Sequence, residues 1–232
     1  MYKFSDIKGE VLYLENYLKN AKIYSDSRIF VDETANFKKI SWYNYESGIP
    51  KTPYHITYSS AVSNRQYSYL FKDGSFLQFY YDFQNEDTLK KAKLAYYPYP
   101  QICSEISDDD FIEYLEIIDG LDNIDTLIET RKISNTSYIR IDYDSNVDSH
   151  DNCEIQIDSI KEIRIPCEVL INPIYFFEFI LKCKSLSSND YAKAFDFLKN
   201  DNNFKTQLNI SRKKHFKLEN CSDQNIFITF LC

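Results

Sequence analysis

The sequence predicts an α+β fold, an antiparallel aromatic-rich sheet flanked by helices. Stretches near both ends of the chain have helical spacing of apolar residues, several stretches between them alternate apolar and polar residues, and an Asp-Gly pair joins two such stretches. A chain of 232 residues, 44% of them hydrophobic, can bury a core without disulfides or metal. We expect a single α+β domain at 1–232, with a sheet-rich core at 66–167 and a helical segment at 168–205 packed on it.

The N-terminal part is predicted to be a helix followed by short strands. Ser5 is placed to cap a helix that runs to about Tyr24, and its apolar residues recur at helical spacing, namely Ile7, Val11, Leu14, Leu18 and Ala21. The stretch from Arg28 to Tyr45 reads as short strands. Residues 46–64 hold two prolines and a Ser/Asn cluster, which predicts a long connection with one strand at most.

The stretch "SYLFKDGSFLQFYYDF" (Ser68 to Phe83) is predicted to be a hairpin closed by a two-residue loop at Asp73-Gly74. Pairing outward from this loop sets Leu70 opposite Leu77. One face then carries Leu70, Leu77, Phe79 and Tyr81, and the other carries Tyr67, Tyr69, Phe71, Phe76 and Tyr80. Because both faces are apolar, we expect the hairpin to be central, with Leu70, Leu77 and Phe79 in the core.

Four further strands are predicted after the hairpin. Leu89 to Tyr97 extends the hairpin and ends at Pro98, since proline cannot donate to a ladder. The stretches Ser137 to Asp144, Cys153 to Asp158 and Glu162 to Pro166 alternate strictly, so their isoleucines are expected to face the core.

Three helices and a last strand complete the prediction. An acidic helix is capped by Ser107 and ended by Gly120, and two later helices are capped by Asn172 and Asn189. We expect the chain to close with "NIFITFLC" as a strand.

Composition excludes several classes of site. The four glycines are isolated from one another, so no phosphate-binding loop is present and no cofactor is expected. The six cysteines form no CxxC pair, the N-terminus has no signal-peptide pattern, and no apolar run could span a bilayer. We therefore expect a cytoplasmic protein with reduced thiols and no contact with a membrane.

The charge is distributed unevenly along the chain. Residues 101–200 carry 9 Lys/Arg against 21 Asp/Glu, which would repel a phosphate backbone. The short basic run Ser211 to Lys217 could contact nucleic acid locally, but a solvated strand or loop edge is the simpler interpretation. A protein partner is therefore expected rather than nucleic acid.

Several of these stretches resemble one family. "SYLFKDGSFLQFYYDF", "KAKLAYYPYP", "YIRIDYD" and "IRIPCEVLINPIYFFEFIL" are similar to the domain-of-unknown-function 2290 family of prokaryotic proteins, over roughly Tyr67 to Leu181. The resemblance implies a setting rather than an activity, since such families often lie near toxin-antitoxin or antiphage genes. It also implies that relatives carry alternating histidines on the strand where this chain has Glu154 and Gln156.

The later strands carry the candidate site. Their polar positions include Arg140, Asp142, Glu154, Gln156 and Arg164, and His150 lies in the loop between the first two of these strands. Arg140, His150 and Glu154 could act on a phosphodiester or a carbonyl. The simpler interpretation is a ladder of ion pairs on a solvated sheet face.

The tyrosines supply a second kind of candidate site. Tyr67, Tyr69, Tyr80 and Tyr97, with Asp142, Gln156 and Arg164, could bind a partner or ligand, because rings near charges are favoured at interface centres. The three histidines lie far apart, so no metal site is expected.

Three functions remain open at this point. The first is a non-enzymatic interaction or regulatory subunit of a prokaryotic antiphage-defence or toxin-antitoxin system. The second is a metal-independent RNase-type toxin that uses Arg140, His150 and Glu154. The third is a small-ligand sensor whose pocket is lined by the hairpin tyrosines.

Overall fold

An antiparallel sheet of nine strands is the centre of the molecule, and helices lie on both of its faces. The predicted α+β class is therefore confirmed. The computed structural model describes residues 3–21, 23–34, 37–46, 54–102, 133–134, 137–147, 152–157, 164–167, 169–185, 196, 200–214 and 216–217.

The strands follow one another along the chain as β1 (Tyr24–Ser27), β2 (Ile29–Glu33), β3 (Lys38–Trp42), β4 (Tyr69–Phe71), β5 (Phe76–Phe83), β6 (Leu89–Tyr97), β7 (Gln101–Ile102), β8 (Ile133–Ser134), β9 (Ile139–Asp144), β10 (Cys153–Ile157), β11 (Arg164–Pro166), β12 (Val169–Leu170) and β13 (Phe216–Lys217). In the main sheet the order is β1-β4-β5-β6-β9-β10-β11, with β3 also paired to β5 and β2 paired to β3. The pairs β7-β8 and β12-β13 are separate.

Helices α1 (Phe4–Ala21), α3 (Pro173–Ser185) and α4 (Asn202–Lys213) form the layer on one face, and α2 (Tyr54–Ser63) lies on the other. Aromatic rings join α3 to the sheet, since Phe176 lies edge-on to Phe79 with ring centroids 6.2 Å apart. Phe204 of α4 packs against Tyr17 of α1 at 4.9 Å. These contacts build the larger of two cores.

The prediction for residues 46–64 is wrong, because the second half of this stretch is helix α2. Its buried residues recur at helical spacing, at Tyr54, Thr57, Tyr58 and Ala61. Both prolines of the stretch precede the helix, where proline removes no helical hydrogen bond. Helix α2 covers the start of β5 and the end of β6, and so closes the second, smaller core.

The predicted register of the hairpin is wrong by one residue. Tyr69 lies opposite Leu77 and Leu70 opposite Phe76, because the loop has three residues, Lys72 to Gly74. The loop is closed by the Gly74 amide, which donates to the Phe71 carbonyl at 3.0 Å. Gly74 has a φ of 78°, the left-handed conformation expected of a glycine bulge.

This shift moves side chains between faces. Tyr69 and Phe71 lie in the larger core with Leu77 and Phe79, whereas Leu70 lies on the opposite face beside the smaller core. The prediction that Leu77 and Phe79 are core residues is confirmed, and the assignment of Leu70 to the same core is wrong.

Replacing Gly74 with alanine is expected to lower the free energy of unfolding by about 1 to 2 kcal/mol, because the left-handed conformation costs that much for a residue with a Cβ. Gly9 is the matched control. It lies on an exposed face of α1, and a Cβ there would meet nothing within 4 Å. Gly9→Ala should therefore raise the free energy of unfolding by up to about 1 kcal/mol, as measured by urea unfolding. Equal effects of the two substitutions would contradict the turn assignment.

The burial of the isoleucines in β9, β10 and β11 agrees with the predicted alternation of apolar and polar residues. Ile141 and Ile155 are buried in the larger core, and Ile139, Ile157 and Ile165 pack against it. The helix predicted after Asn172 is α3. The acidic helix at 107–120, the cap at Asn189, Ile163 and the strand "NIFITFLC" lie outside the described residues.

Helix α4 was not predicted as such. Asp201 caps it, with Oδ1 accepting hydrogen bonds from the backbone amides of Asn203 at 2.7 Å and Phe204 at 3.0 Å. The helix continues into the basic run, so the start of that run is helical rather than a strand or loop edge.

Candidate functional site

Polar side chains from neighbouring strands lie side by side on the sheet face opposite α1 and α3. Direct cross-strand pairs place Lys93 of β6 opposite Asp142 of β9, and Asp142 opposite Glu154 of β10. A second row runs parallel to the first, with Ala95 opposite Arg140, Arg140 opposite Gln156, and Gln156 opposite Arg164. We call these two rows the polar face.

Hydrogen bonds connect most of the polar face into one network. Arg140 Nη2 lies 2.7 Å from Asp142 Oδ2 and also donates to Gln156 Oε1. Gln156 Nε2 donates to Glu154 Oε1, which accepts a further hydrogen bond from Arg164 Nη1 at 2.6 Å. The five predicted residues of these strands are therefore brought together.

The electrostatics of the network keep Arg140 charged. Burial alone would lower the pKa of the guanidinium, but the Asp142 carboxylate and the nearby Tyr97 and Tyr138 raise that pKa above its ordinary value. Glu154 is only 3% exposed, and the half-exposed Arg164 supplies its counter-charge. Two acidic groups and two arginines thus neutralise one another.

Lys93 differs from Arg140, Arg164 and Lys91 on this sheet face, which all form ion pairs. It is partly buried between Tyr80 on β5 and Asp142 on β9, and among the described residues it has no hydrogen bond or ion pair. Burial, and next the charge of Arg140, lower the pKa of its ammonium group. Two residues earlier, Lys91 is half-exposed and forms an ion pair with Asp144 at 2.8 Å.

Three buried polar atoms near Lys93 have no hydrogen-bond partner within the described ranges: Gln78 Oε1, Arg140 Nε and Asp142 Oδ1. Gln78 is only 1% exposed, and its Nε2 donates to the Gln66 carbonyl at 2.6 Å. Orphaned buried polar atoms are rare in folded proteins, because each costs free energy.

The tyrosines predicted to share one face are separated. Tyr69 is fully buried under α1, and its hydroxyl donates to the Val11 carbonyl at 2.6 Å. Tyr67 is buried in the smaller core and donates to Asp26 at 2.7 Å, and burial together with Asp26 raises its pKa to about 12. The prediction that Tyr69 faces the same side as Tyr80 is wrong because of the register shift. It is also wrong for Tyr67, because β4 begins at Tyr69 and strand alternation does not extend back to Tyr67.

The other two candidate tyrosines lie on the side of the polar face. Tyr97 is fully buried in the smaller core and stacks on Phe76 with ring centroids 4.5 Å apart. Tyr80 is half-buried beside Lys93 and stacks on Tyr45 at 4.7 Å, with the Lys39 ammonium 4.3 Å above the Tyr45 ring. Tyr80 therefore lies next to Lys93, and Tyr97 lies close enough to Arg140 to raise its pKa.

The predicted catalytic set is only partly placed. Arg140 and Glu154 are linked through Gln156, and His150 lies outside the described residues. Within the described part of the chain, no three His, Cys, Asp or Glu side chains cluster as a metal site would require. In the same part, no helix has both the length and the apolar character needed to cross a bilayer.

Sequence reasoning missed Lys93 and Gln78. Strand alternation in "LKKAKLAYY" and "FLQFYYDF" puts each of them on one face of its own strand, which is a usable signal. What the sequence does not contain is the pairing that leaves Lys93 beside Asp142 and Gln78 beside Ala95.

Comparison with protein families gives a match over most of the chain. A family described as "Uncharacterized conserved protein (DUF2290)" matches residues 21–220. No curated protein and no solved structure matches the chain.

Proposed function

We propose that this chain, which belongs to the DUF2290 family, is a non-enzymatic interaction or regulatory subunit that acts by binding a protein partner. The observation that carries the proposal is the hydrogen-bonded network that links Arg140, Asp142, Glu154, Gln156 and Arg164. Hydrogen bonds that link one side chain to the next hold them in fixed positions, as a recognition surface requires.

The same network argues against acid–base chemistry by these residues. A general acid or base needs a proton that it can exchange with the substrate. Arg140 is a fixed cation, and Glu154 already accepts from Gln156 and Arg164. Such a set can hold a partner in register more readily than it can move a proton.

The biological setting is also part of the proposal. We place the protein in the cytoplasm of a prokaryote, within an antiphage-defence or toxin-antitoxin system. Support for this setting comes from the kind of family to which the chain belongs, since families of this kind often lie near such genes.

Affinity purification of the tagged protein from its native host is expected to recover one partner in stoichiometric amount. Arg140→Ala should weaken capture by at least about tenfold, because arginines at interface centres carry much of the binding energy. Lys8→Ala is the control, since Lys8 forms an exposed ion pair with Glu33 away from the polar face. A wild-type protein that stays monomeric and captures nothing would overturn the proposal.

The metal-independent RNase toxin is the alternative outcome. Expression of the chain alone should then stop growth and degrade total RNA, and His150→Ala should abolish both effects. The purified protein should also degrade RNA in the presence of EDTA. Harmless expression with intact RNA supports the non-enzymatic function.

A further inference from the structure

We propose that Lys93 is the centre of a binding site for a small anion, a carboxylate or phosphate group that also carries an O–H or N–H donor. The proposal goes beyond the binding of a protein partner and does not rest on it. It concerns the part of the polar face where β5, β6 and β9 lie next to one another.

The positive charge of Lys93 is unbalanced. Arg140 is paired with Asp142, Arg164 with Glu154 and Lys91 with Asp144, whereas Lys93 is without such a partner in the described part of the chain. A partly buried ammonium group loses hydration, and proteins ordinarily supply a counter-charge at such a position. The missing negative charge is what an anionic ligand would bring.

Orphaned polar atoms lie on the strands beside this lysine. Arg140 Nε is a buried donor, and Gln78 Oε1 and Asp142 Oδ1 are buried acceptors, each without a partner among the described residues. Arg140 and Lys93 would share the negative oxygens of the ligand, and the acceptors would receive its O–H or N–H group. Hydrogen phosphate and 2-hydroxy acids carry both functions.

The geometry of the rows brings these groups together. Lys93 and Arg140 lie on adjacent strands, and Asp142 is directly opposite Lys93. Between Gln78 and Arg140 the row contains Ala95, whose short side chain is buried in the smaller core. The smaller core beneath α2 includes Ala95 and forms an apolar border on this side, so a compact ligand fits better than a chain segment.

The site can be tested with inorganic phosphate and with lactate, by isothermal titration calorimetry and by thermal unfolding. Sodium chloride keeps the ionic strength constant. We expect at least one of the two to bind and to raise the melting temperature, because a ligand of the folded state stabilises it. Acetate, which carries a carboxylate but no O–H or N–H donor, should bind at least about fivefold more weakly than lactate.

Lys93→Met should weaken binding by at least about tenfold, since it removes the charge that faces the anion. Lys91→Met is the matched control, because Lys91 lies on the same strand and face but already has an ion pair, and it should change binding by less than about twofold. In wild-type protein, NMR titration of the Lys93 side chain should show its pKa rising when the anion is added, a readout that needs no variant.

Each of these measurements can show that the site does not exist. The site does not exist if neither anion binds the wild-type protein, if Lys93→Met binds as tightly as wild type, or if the pKa of Lys93 does not respond. If the wild-type protein captures a partner but binds neither anion, only this inference fails. If it binds an anion but captures no partner, only the proposed partner function fails.

Discussion

Replacement of Glu10 with alanine is expected to lower the free energy of unfolding by about 3 to 5 kcal/mol. Glu10 lies in the buried stripe of α1, and its carboxylate accepts three hydrogen bonds: from Asn172 Nδ2 at 2.9 Å, the Ile174 amide at 3.2 Å and Ser211 Oγ at 3.0 Å. These donors belong to α3, its N-terminal cap and α4. Without the carboxylate, three buried groups lose their acceptor.

Equilibrium unfolding in urea measures this loss. Glu10→Gln is the informative companion variant, since an amide keeps one acceptor oxygen in nearly the same volume, and it should cost about 1 to 2 kcal/mol. Glu15→Ala on the same helix removes only an (i, i+4) pair between the partly buried Glu15 and the exposed Lys19, and should cost less than about 0.5 kcal/mol. If Glu10→Ala were as mild as Glu15→Ala, Glu10 would not connect the three helices.

Glu10 also predicts a dependence of stability on pH. Burial raises the pKa of its carboxyl group above the ordinary value of 4.5, although the hydrogen bonds from Asn172, Ile174 and Ser211 oppose the rise. The folded state therefore binds this proton more tightly than the unfolded state. Between pH 4.5 and the folded pKa, the contribution of Glu10 to stability falls as pH rises.

The comparison of wild type with Glu10→Gln isolates this effect. The stability difference between them should shift in favour of the wild type as pH falls from 7 towards 4.5. Glu86, whose pKa is lowered to about 2 by hydrogen bonds from Lys38 and Ser5, acts in the opposite direction below pH 4.5, so the two windows are separate. A pH-independent difference above pH 4.5 would contradict the raised pKa.

Tyr69→Ala is expected to cost about 3 to 5 kcal/mol, which is typical of a large aromatic residue removed from a core. The ring is fully buried under α1 and lies edge-on to Phe79 with centroids 5.9 Å apart. Tyr69→Phe should cost about 1 kcal/mol, because it removes only the hydrogen bond to the Val11 carbonyl. Thermal or urea unfolding of both variants measures the contribution of ring packing and the contribution of the hydrogen bond.

Tyr80→Ala is the control for this prediction. Tyr80 is half-buried on the other face of the same hairpin, and its truncation should cost no more than about 2 kcal/mol while altering the surface beside Lys93. The opposite order of effects, with Tyr80→Ala the more damaging, would mean that the register with Tyr69 in the core is wrong.

The hairpin shows where prediction from sequence ended. Two strands and a turn at Asp73-Gly74 could be recognised, but Asp-Gly suits both a two-residue loop and a three-residue loop with a bulged glycine. The actual loop includes Lys72, and this one residue moves Tyr69 to the opposite face. Local turn chemistry did not contain enough information to choose the register.

The strands after residue 137 were predictable because each has one apolar and one polar face. Arg140, Glu154 and Gln156 were therefore assigned to one side correctly. The partners of Glu10 were not predictable, since Asn172 and Ser211 lie more than 160 positions away and meet it only in the folded chain. Helix α2 was missed because the two prolines before it and the serines within it outweighed the spacing of its buried residues.

The divided edge of the sheet has a consequence for the solubility of the protein. Along β5, β4 pairs with the first residues and β3 with the last, so that side of the sheet ends in two strands, β1 and β2, of four and five residues. Between the parts of β5 that pair with β4 and with β3, the Phe79 amide donates a hydrogen bond to the buried Ser68 hydroxyl at 2.8 Å. A long open edge would invite another copy of the chain to add a strand, whereas two short edges that carry Asp26, Asp32 and Glu33 offer a poor template for aggregation.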